Sequence, residues 1–191
     1  MSRGLDSAVH LVQQFLSCTA QSGGTFVDAT AGRGNDTLFM ARLAGPDGRV
    51  FSFDIQEDAL QSTRLLLEDA GMADRVTLVK DSHEHMERYV SGPVDRVIFN
   101  LGYLPGGEHS FITKADSTVP ALQSALGLLR PGGRIGLVLY TGHPGGREEY
   151  EAVEKISAGL DNALFSVIKI VILNRAATAP VVIVIEKAGV K

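Results

Sequence analysis

Seven short runs of apolar and β-branched residues recur along the chain, and the last two stand only about six residues apart. No other feature constrains the fold as tightly. The runs lie at 25–30 (TFVDAT), 49–55 (RVFSFDI), 75–81 (RVTLVKD), 94–101 (VDRVIFNL), 134–140 (RIGLVLY), 166–174 (SVIKIVILN) and 181–187 (VVIVIEK). Their nearly continuous apolar character suits strands covered on both faces, as in a parallel sheet. The first five are separated by stretches long enough for crossover helices. The last gap is too short for one, so runs six and seven are expected to pair antiparallel as a hairpin.

The intervening stretches carry helical periodicity. Val119, Leu122, Leu126 and Leu129 make one apolar stripe, and Tyr150, Val153, Ile156 and Leu160 make another. Ser117 reads as the N-cap of the first of these helices, with Pro120 in its first turn and Pro131-Gly132-Gly133 ending it. Further helices are expected at 35–44 and 57–70, with an opening helix near 6–16. Such alternation implies a doubly wound α/β sheet with right-handed crossovers. The expected fold is a Rossmann-like sheet of seven strands, five parallel plus a terminal antiparallel hairpin, with helices on both faces. This is similar to the class I methyltransferases; a dinucleotide-binding domain would continue with another crossover. At 191 residues the whole chain, 1–191, is expected to form one domain, with 1–24 an N-terminal helix packed on it.

Composition excludes several classes of function. The single cysteine, Cys18, rules out an internal disulfide and a cysteine-cluster zinc site. No apolar run reaches the roughly 18 residues of a membrane span. The opening segment lacks the pattern of a secretory signal, so a cytoplasmic location is expected. A net charge of -4 argues against coating nucleic acid through bulk positive charge but leaves room for a local basic patch.

The strand ends carry the chemistry. After the first strand, Asp28 precedes a turn containing Gly32 and Gly34, where missing side chains let backbone approach a ligand before a helix N-terminus. The spacing is not GxGxxG, because Asn35-Asp36 fills the place of the third small residue; an acidic Asp28 would favour a cationic group over a pyrophosphate. Asn35 or Asp36 acting as a plain helix cap is the competing reading. Asp54, at the tip of strand two, is placed to accept both ribose hydroxyls of an adenosine, or to cap the next helix. Asp81 and Ser82 lie where an adenine amine would be read. His83 and His85 are two apart and share no helix face, and HExxH is absent, so no metal site is expected.

Strand four ends NLGYLPGG, which places Asn100 in the ligand crevice with Tyr103, Leu104 and Pro105 behind it. An amide oxygen there can accept a hydrogen of an amine and turn its lone pair toward a methyl group, while an aromatic ring stacks on a base. The segment resembles the Asn/Asp-Pro-Pro-Tyr loop of methyltransferases acting on exocyclic amines, with Leu101-Gly102 in place of the prolines; an ordinary glycine-rich loop is the alternative. Strand five ends LYTGHPGG and places His143 on the same edge as a candidate for proton relay. Asn174 and Arg175, closing strand six, are candidate substrate contacts, Arg175 for phosphate.

Taken in order, DATAGRGNDT, FDIQ, DSHE, FNLGYLPGG, GHPGG and the closing IEK resemble the YtqB/MnmM family over nearly the whole chain. The resemblance implies a class I S-adenosylmethionine-dependent methyltransferase acting on the aminomethyl group of a wobble uridine in tRNA. It implies that Asn35, Asp36, Asp54, Gln56, Ser82 and His83 bind the cofactor. Asp28, Thr30, Gly32, Gly34, Thr37, Asp81 and Asn100 complete the expected cofactor set, with Asn100, Tyr103 and His143 as catalytic candidates. Leu104, Pro105, Lys114, Asn174 and Arg175 are the expected substrate contacts. The chain departs from the family pattern at Lys114, Arg175 and the single Pro180, all in loops expected to face the substrate. The expected partner is RNA, foremost the tRNA anticodon region, with no membrane and with room for a homodimer. An rRNA methyltransferase and a small-molecule amine methyltransferase are the alternatives. A NAD enzyme is disfavoured by the missing GxGxxG, and a non-catalytic binding module by the intact loops after strands four and five.

Overall fold

The computed structural model describes residues 7–102 and 113–189. In chain order its elements are α1 (Ala8–Ser17), β1 (Thr25–Asp28), α2 (Asn35–Ala44), β2 (Arg49–Asp54), α3 (Glu57–Asp69), β3 (Val76–Lys80), β4 (Val94–Leu101), α4 (Ala115–Leu128), β5 (Leu129–Leu139), α5 (Gly146–Ala158), β6 (Phe165–Ile170) and β7 (Val181–Lys187). The strands form one sheet in the order β3-β2-β1-β4-β5-β7-β6. Strands β1 to β5 run parallel, and β7 lies antiparallel to both β5 and β6. The strand order reverses between β1 and β4, which opens a crevice at their carboxyl ends.

Both faces of the sheet are covered, which explains the continuous apolar runs. On one face Phe99, Leu101, Ile135, Leu137 and Ile183 pack with Leu122 of α4 and Val153 of α5. On the other, Phe26, Ile98, Val138 and Val182 pack with Val12 and Leu16 of α1 and Met40 of α2. Alternate residues of β4 and β5 thus serve opposite layers. Gly136 is required on the α1 face, because a Cβ there would lie 2.8 Å from Val12.

Helix α1 is fixed at both ends. Ser7 Oγ accepts from the His10 N–H at 3.2 Å. At the other end Arg96, fully buried in β4, donates from Nε to Leu16 O at 2.8 Å and from Nη2 to Cys18 O at 3.2 Å. Arg134 Nη1 adds a bond to Phe15 O at 2.7 Å. Cations at a helix C-terminus meet its orphan carbonyls and the negative end of its dipole.

Three expectations are corrected. Helix α4 begins at Ala115 with Lys114 at its N-cap, so Ser117 lies inside the first turn and Pro120 inside the helix. Pro-Gly-Gly does not follow α4 as a loop: the helix stops at Leu128 and β5 starts at once, because buried Leu129 pairs with Val94 across a register shift. The sixth strand ends at Ile170 rather than 174. The apolar pattern continues through Val171 and Leu173, but both are exposed and the chain turns, with the Arg175 N–H on Ile172 O at 3.2 Å.

Candidate active site

A cleft of about 400 Å³ lies at the carboxyl ends of β1 to β4, within the size range of small-molecule sites. Its walls come mainly from the turns after those strands. After β1 the chain passes through Gly32 (φ 53°) and Gly34 (φ 80°). A Cβ at Gly34 would lie 2.9 Å from the Thr63 Cα of α3, so this turn packs only as glycine. The Gly32 N–H donates to Asp54 Oδ2 and the Gln56 N–H to Asp54 Oδ1, each at 2.9 Å. Two backbone bonds thus aim the Asp54 carboxylate while leaving each oxygen a further lone pair. Asp54 does not cap α3, whose N-cap is Gln56.

The turn after β3 is built likewise. Asp81 accepts from the Ser82 N–H at 2.7 Å and the Tyr89 hydroxyl at 2.8 Å, and pairs with His85 Nδ1 at 2.9 Å. His85, with these other donors, holds the Asp81 carboxyl below the usual range. His85 is therefore a partner of Asp81. His83 lies buried against Phe99 with Nδ1 3.0 Å from Ala29 O, so Nδ1 carries the hydrogen. Burial lowers its pKa and keeps the ring neutral. Its Nε2, a bare acceptor, is the ring atom left without a hydrogen-bond partner, and His83 lines the cleft.

At the tip of β4 the Asn100 N–H donates to Thr30 Oγ1 at 2.8 Å and the side-chain Nδ2 donates to Asp36 Oδ2 at 2.9 Å. With its nitrogen held by Asp36, the amide turns its oxygen the other way. Asp36 itself is 6% exposed, and its other oxygen accepts from Gln13 Nε2 at 2.8 Å. Burial raises its pKa, while the two amide donors pull it back.

Ten expected cofactor residues line the cleft: Thr30, Gly32, Asn35, Asp36, Asp54, Gln56, Asp81, Ser82, His83 and Asn100. Three do not. Asp28 is fully buried behind the wall, accepting from the Thr30 N–H at 3.0 Å and the Thr37 hydroxyl at 2.6 Å. Burial, and then the charge of Asp36, push its pKa up to about 7. It braces the turn instead of offering a charge to a ligand. Thr37 is consumed by Asp28 and Ser52, and Gly34 faces α3. The α2 N-cap is Gly34 without a side-chain bond, so neither Asn35 nor Asp36 caps that helix.

The acceptor side also departs from expectation. His143 is not on the cleft wall: its Nδ1 lies 3.0 Å from Pro144 O, and its ring packs over Gly146, where a Cβ would meet it at 2.8 Å. The residue on the wall from this edge is Tyr140, just after β5, whose pKa burial raises. Lys114, Asn174 and Arg175 are exposed and lie off the wall. Tyr103, Leu104 and Pro105 fall outside the described residues. The chain returns at Thr113, whose N–H donates to Gly102 O at 3.1 Å. Thr113 and Thr118 hydroxyls donate to buried Glu149 at 3.1 and 2.6 Å, and burial raises the Glu149 pKa. Sequence reasoning also missed Phe53, Ile55, Gly102, Thr113 and Ser117 on the wall. Ile55 had a signal, an apolar residue beside Asp54 at a strand tip; Ser117 had none, having been read as a cap. Among the described residues no group of three His, Cys, Asp or Glu is arranged to hold a metal, and no helix is long and apolar enough to cross a membrane.

The donor set fits an adenosine-containing sulfonium: a carboxylate aimed by backbone at hydroxyl positions, apolar Phe53 and Ile55 beside it, and the orphan acceptor of His83. Sheet order, reversed last strand and cleft together are those of the class I S-adenosylmethionine-dependent methyltransferases.

Comparison with known proteins narrows this class. Residues 50–186 match the family model described as "Putative rRNA methylase". A crystal structure of a "putative rRNA-methylase" from Clostridium thermocellum is 42% identical with a TM-score of 0.93, over 96% of this chain and 99% of that one. A "putative methyltransferase" from Streptococcus mutans, solved in complex with SAH, is 36% identical with a TM-score of 0.87, over 96% and 99%. The "tRNA (mnm(5)s(2)U34)-methyltransferase, chloroplastic" of Arabidopsis thaliana is 45% identical over 177 residues, 87% of this chain and 64% of the relative's length. The chain thus spans just under two thirds of that curated relative. It belongs to the rRNA methylase family.

Proposed function

We propose that the protein is an N-methyltransferase acting on RNA, at the aminomethyl group of a wobble uridine in the tRNA anticodon region. The observation that carries this reading is the Asn100 amide, held through its nitrogen by Asp36 on the wall of a cofactor-sized cleft. The tRNA specificity named for the Arabidopsis relative supports the choice of acceptor. In this reading 1–191 acts as one domain in the cytoplasm.

S-adenosylmethionine supplies an electrophilic methyl on a sulfonium. Asp54 would hold its ribose hydroxyls, exposed Ile55 would pack against the adenine, Ser82 and His83 would read the adenine edge, and Asn35 and Asp36 would face the methionine end. An alkylamine resembles lysine, with a pKa of about 10.4, and must be neutral to react. Desolvation and a nearby positive charge favour the neutral form. Asn100 Oδ1 accepts one amine hydrogen and so turns the lone pair toward the methyl group. Lys114 and Arg175 meet phosphates from the rim. Most of the acceleration comes from positioning. The amine proton leaves to solvent, since His143 stands off the wall.

One observation favours a second reading. The net charge of -4 suits a small amine better than a polyanion. Mass spectrometry of tRNA nucleosides from cells with and without the protein separates the two. Loss of the methylaminomethyl nucleoside, with its aminomethyl precursor accumulating, is the expected result. An unchanged tRNA profile, with a methyl group lost from rRNA or from a small amine, overturns the tRNA assignment.

A further inference from the structure

We propose that Gln13, on the N-terminal helix, is a positioning residue for methyl transfer: by holding Asp36 it sets which end of the Asn100 amide faces the cleft. The inference rests on the amine-methylating role given above to Asn100.

The geometry is a three-element chain. Gln13 Nε2 on α1 donates to Asp36 Oδ1 on α2 at 2.8 Å, and Asn100 Nδ2 at the tip of β4 donates to Asp36 Oδ2 at 2.9 Å. The partners stand 23 and 64 residues from Asp36, so only the tertiary fold joins them. Both donors are amides, and both favour the ionised carboxylate. Gln13 is also held rigidly, because Arg96 and Arg134 grip the last carbonyls of its helix and Val12 and Leu16 beside it are fully buried.

An amide can sit in its pocket two ways round. An ionised Asp36 is acceptor-only, so Asn100 presents its NH₂ to Asp36 and its oxygen to the cleft. A protonated Asp36 offers a donor, and the reverse orientation is then satisfied, with NH₂ toward the cleft. That orientation cannot accept an amine hydrogen. Loss of Gln13 removes one of the two donors that favour the ionised form of Asp36 against burial. Among the described residues, the other titratable or charged groups facing Asp36 are Asp28 from β1 and Tyr140 beyond β5, with Arg33, Asp54 and His83 on the same cleft. The charge of Asp36 in turn raises the Asp28 pKa, in the same direction as burial.

The test compares wild type, Gln13→Leu and Gln13→Glu. Single-turnover methyl transfer to tRNA is followed from pH 5 to 9, S-adenosylhomocysteine affinity is titrated without RNA over the same range, and melting temperature is recorded. Gln13→Leu is expected to slow transfer about tenfold at pH 7, as loss of a hydrogen bond to a charged group would. The acid limb of its rate profile should move up by about one pH unit, the tenfold loss expressed as a shift, with the rate recovering toward wild type at the alkaline end of the range. Gln13→Glu puts a second carboxylate against Asp36 and should move the limb further. Melting temperatures should stay within a few degrees. A folded Gln13→Leu variant with an unshifted limb overturns the proposal. So does an equal loss of rate, affinity and melting temperature at every pH, which marks plain packing. If wild type methylates no tRNA, the RNA reading fails by itself. The pH dependence of S-adenosylhomocysteine affinity then decides: a limb displaced in Gln13→Leu sustains the Gln13–Asp36 coupling, and an unmoved one overturns it.

Discussion

The two sides of the cleft are built by different means. On the side of β1, β2 and β3, backbone N–H groups are tied to carboxylates at the strand tips: Thr30 to Asp28, Gly32 and Gln56 to Asp54, and Ser82 to Asp81. On the side of β4, β5 and the hairpin, the described ties run mainly through threonine hydroxyls, from Thr113 and Thr118 to Glu149 and from Thr141 to Ala177 O at 3.5 Å. The first side ties main-chain N–H groups to carboxylate side chains, all but Gly32 through short Asx-type bonds, and suits a ligand that never varies. The second hangs loops on side chains and leaves Lys114 and Arg175 exposed, which suits an acceptor that differs between relatives. Asn100 stands at the seam, with its backbone on Thr30 and its amide on Asp36.

The largest expected effect tests that seam. Asn100→Ala should lower single-turnover methyl transfer at least about a hundredfold, with S-adenosylhomocysteine affinity changing far less. Calorimetry and transfer on one preparation check this; equal losses in both would move Asn100 wholly to the cofactor side. Next, Asp54→Ala should weaken the cofactor about tenfold to a hundredfold, through loss of charge-assisted hydrogen bonds. Unchanged affinity in a folded variant would break the assignment of the first side.

Smaller effects are expected on the second side. Lys114→Glu and Arg175→Glu should each weaken tRNA binding several-fold. Each should also flatten the dependence of log affinity on log salt by about 0.7 to 0.9. Cofactor affinity should stay unchanged in both. Filter binding from low to physiological salt measures this, and a flat wild-type response would favour the small-amine reading. The last effect is on stability, not on binding or transfer, and concerns Asp28. Its pKa is raised from 3.8 to about 7 in the folded chain, so the folded state holds its proton more tightly than the unfolded one. Its contribution to stability is therefore full below about pH 4 and is lost as pH rises through about 7. Asp28→Asn, which does not titrate, should show a flatter melting temperature from pH 4 to 8. A wild-type slope in that variant would place the titration elsewhere.

Much of the first side was legible in the chain. Gly32 and Gly34 at a strand-to-helix turn and Asp54 at a strand tip are local patterns, and local patterns carry over because backbone sterics fix turns within a few residues. Ser117 and the Pro-Gly-Gly segment misled for the same reason: each has a strong local preference, yet α4 starts two residues before Ser117, at Ala115, and the pairing of buried Leu129 with Val94 carries Pro-Gly-Gly into β5. His143 was placed on the correct edge, but which way its ring turned depended on packing against Gly146.

The sequence by itself determined the seven strands, their parallel-then-hairpin order and the glycine turn. Periodicity, run length and the short final gap leave few ways to bury those faces. Only the tertiary structure decided what each acid does. In the chain Asp28 and Asp54 each close a strand and Asp36 opens a helix, which does not say how any of the three is held. Folding seals Asp28 behind Thr37, aims Asp54 with two N–H groups, and pins Asp36 between Gln13 and Asn100. The physical reason is that a carboxylate's chemistry is set by its desolvation and its donors, and those donors arrive from elements up to 64 residues away.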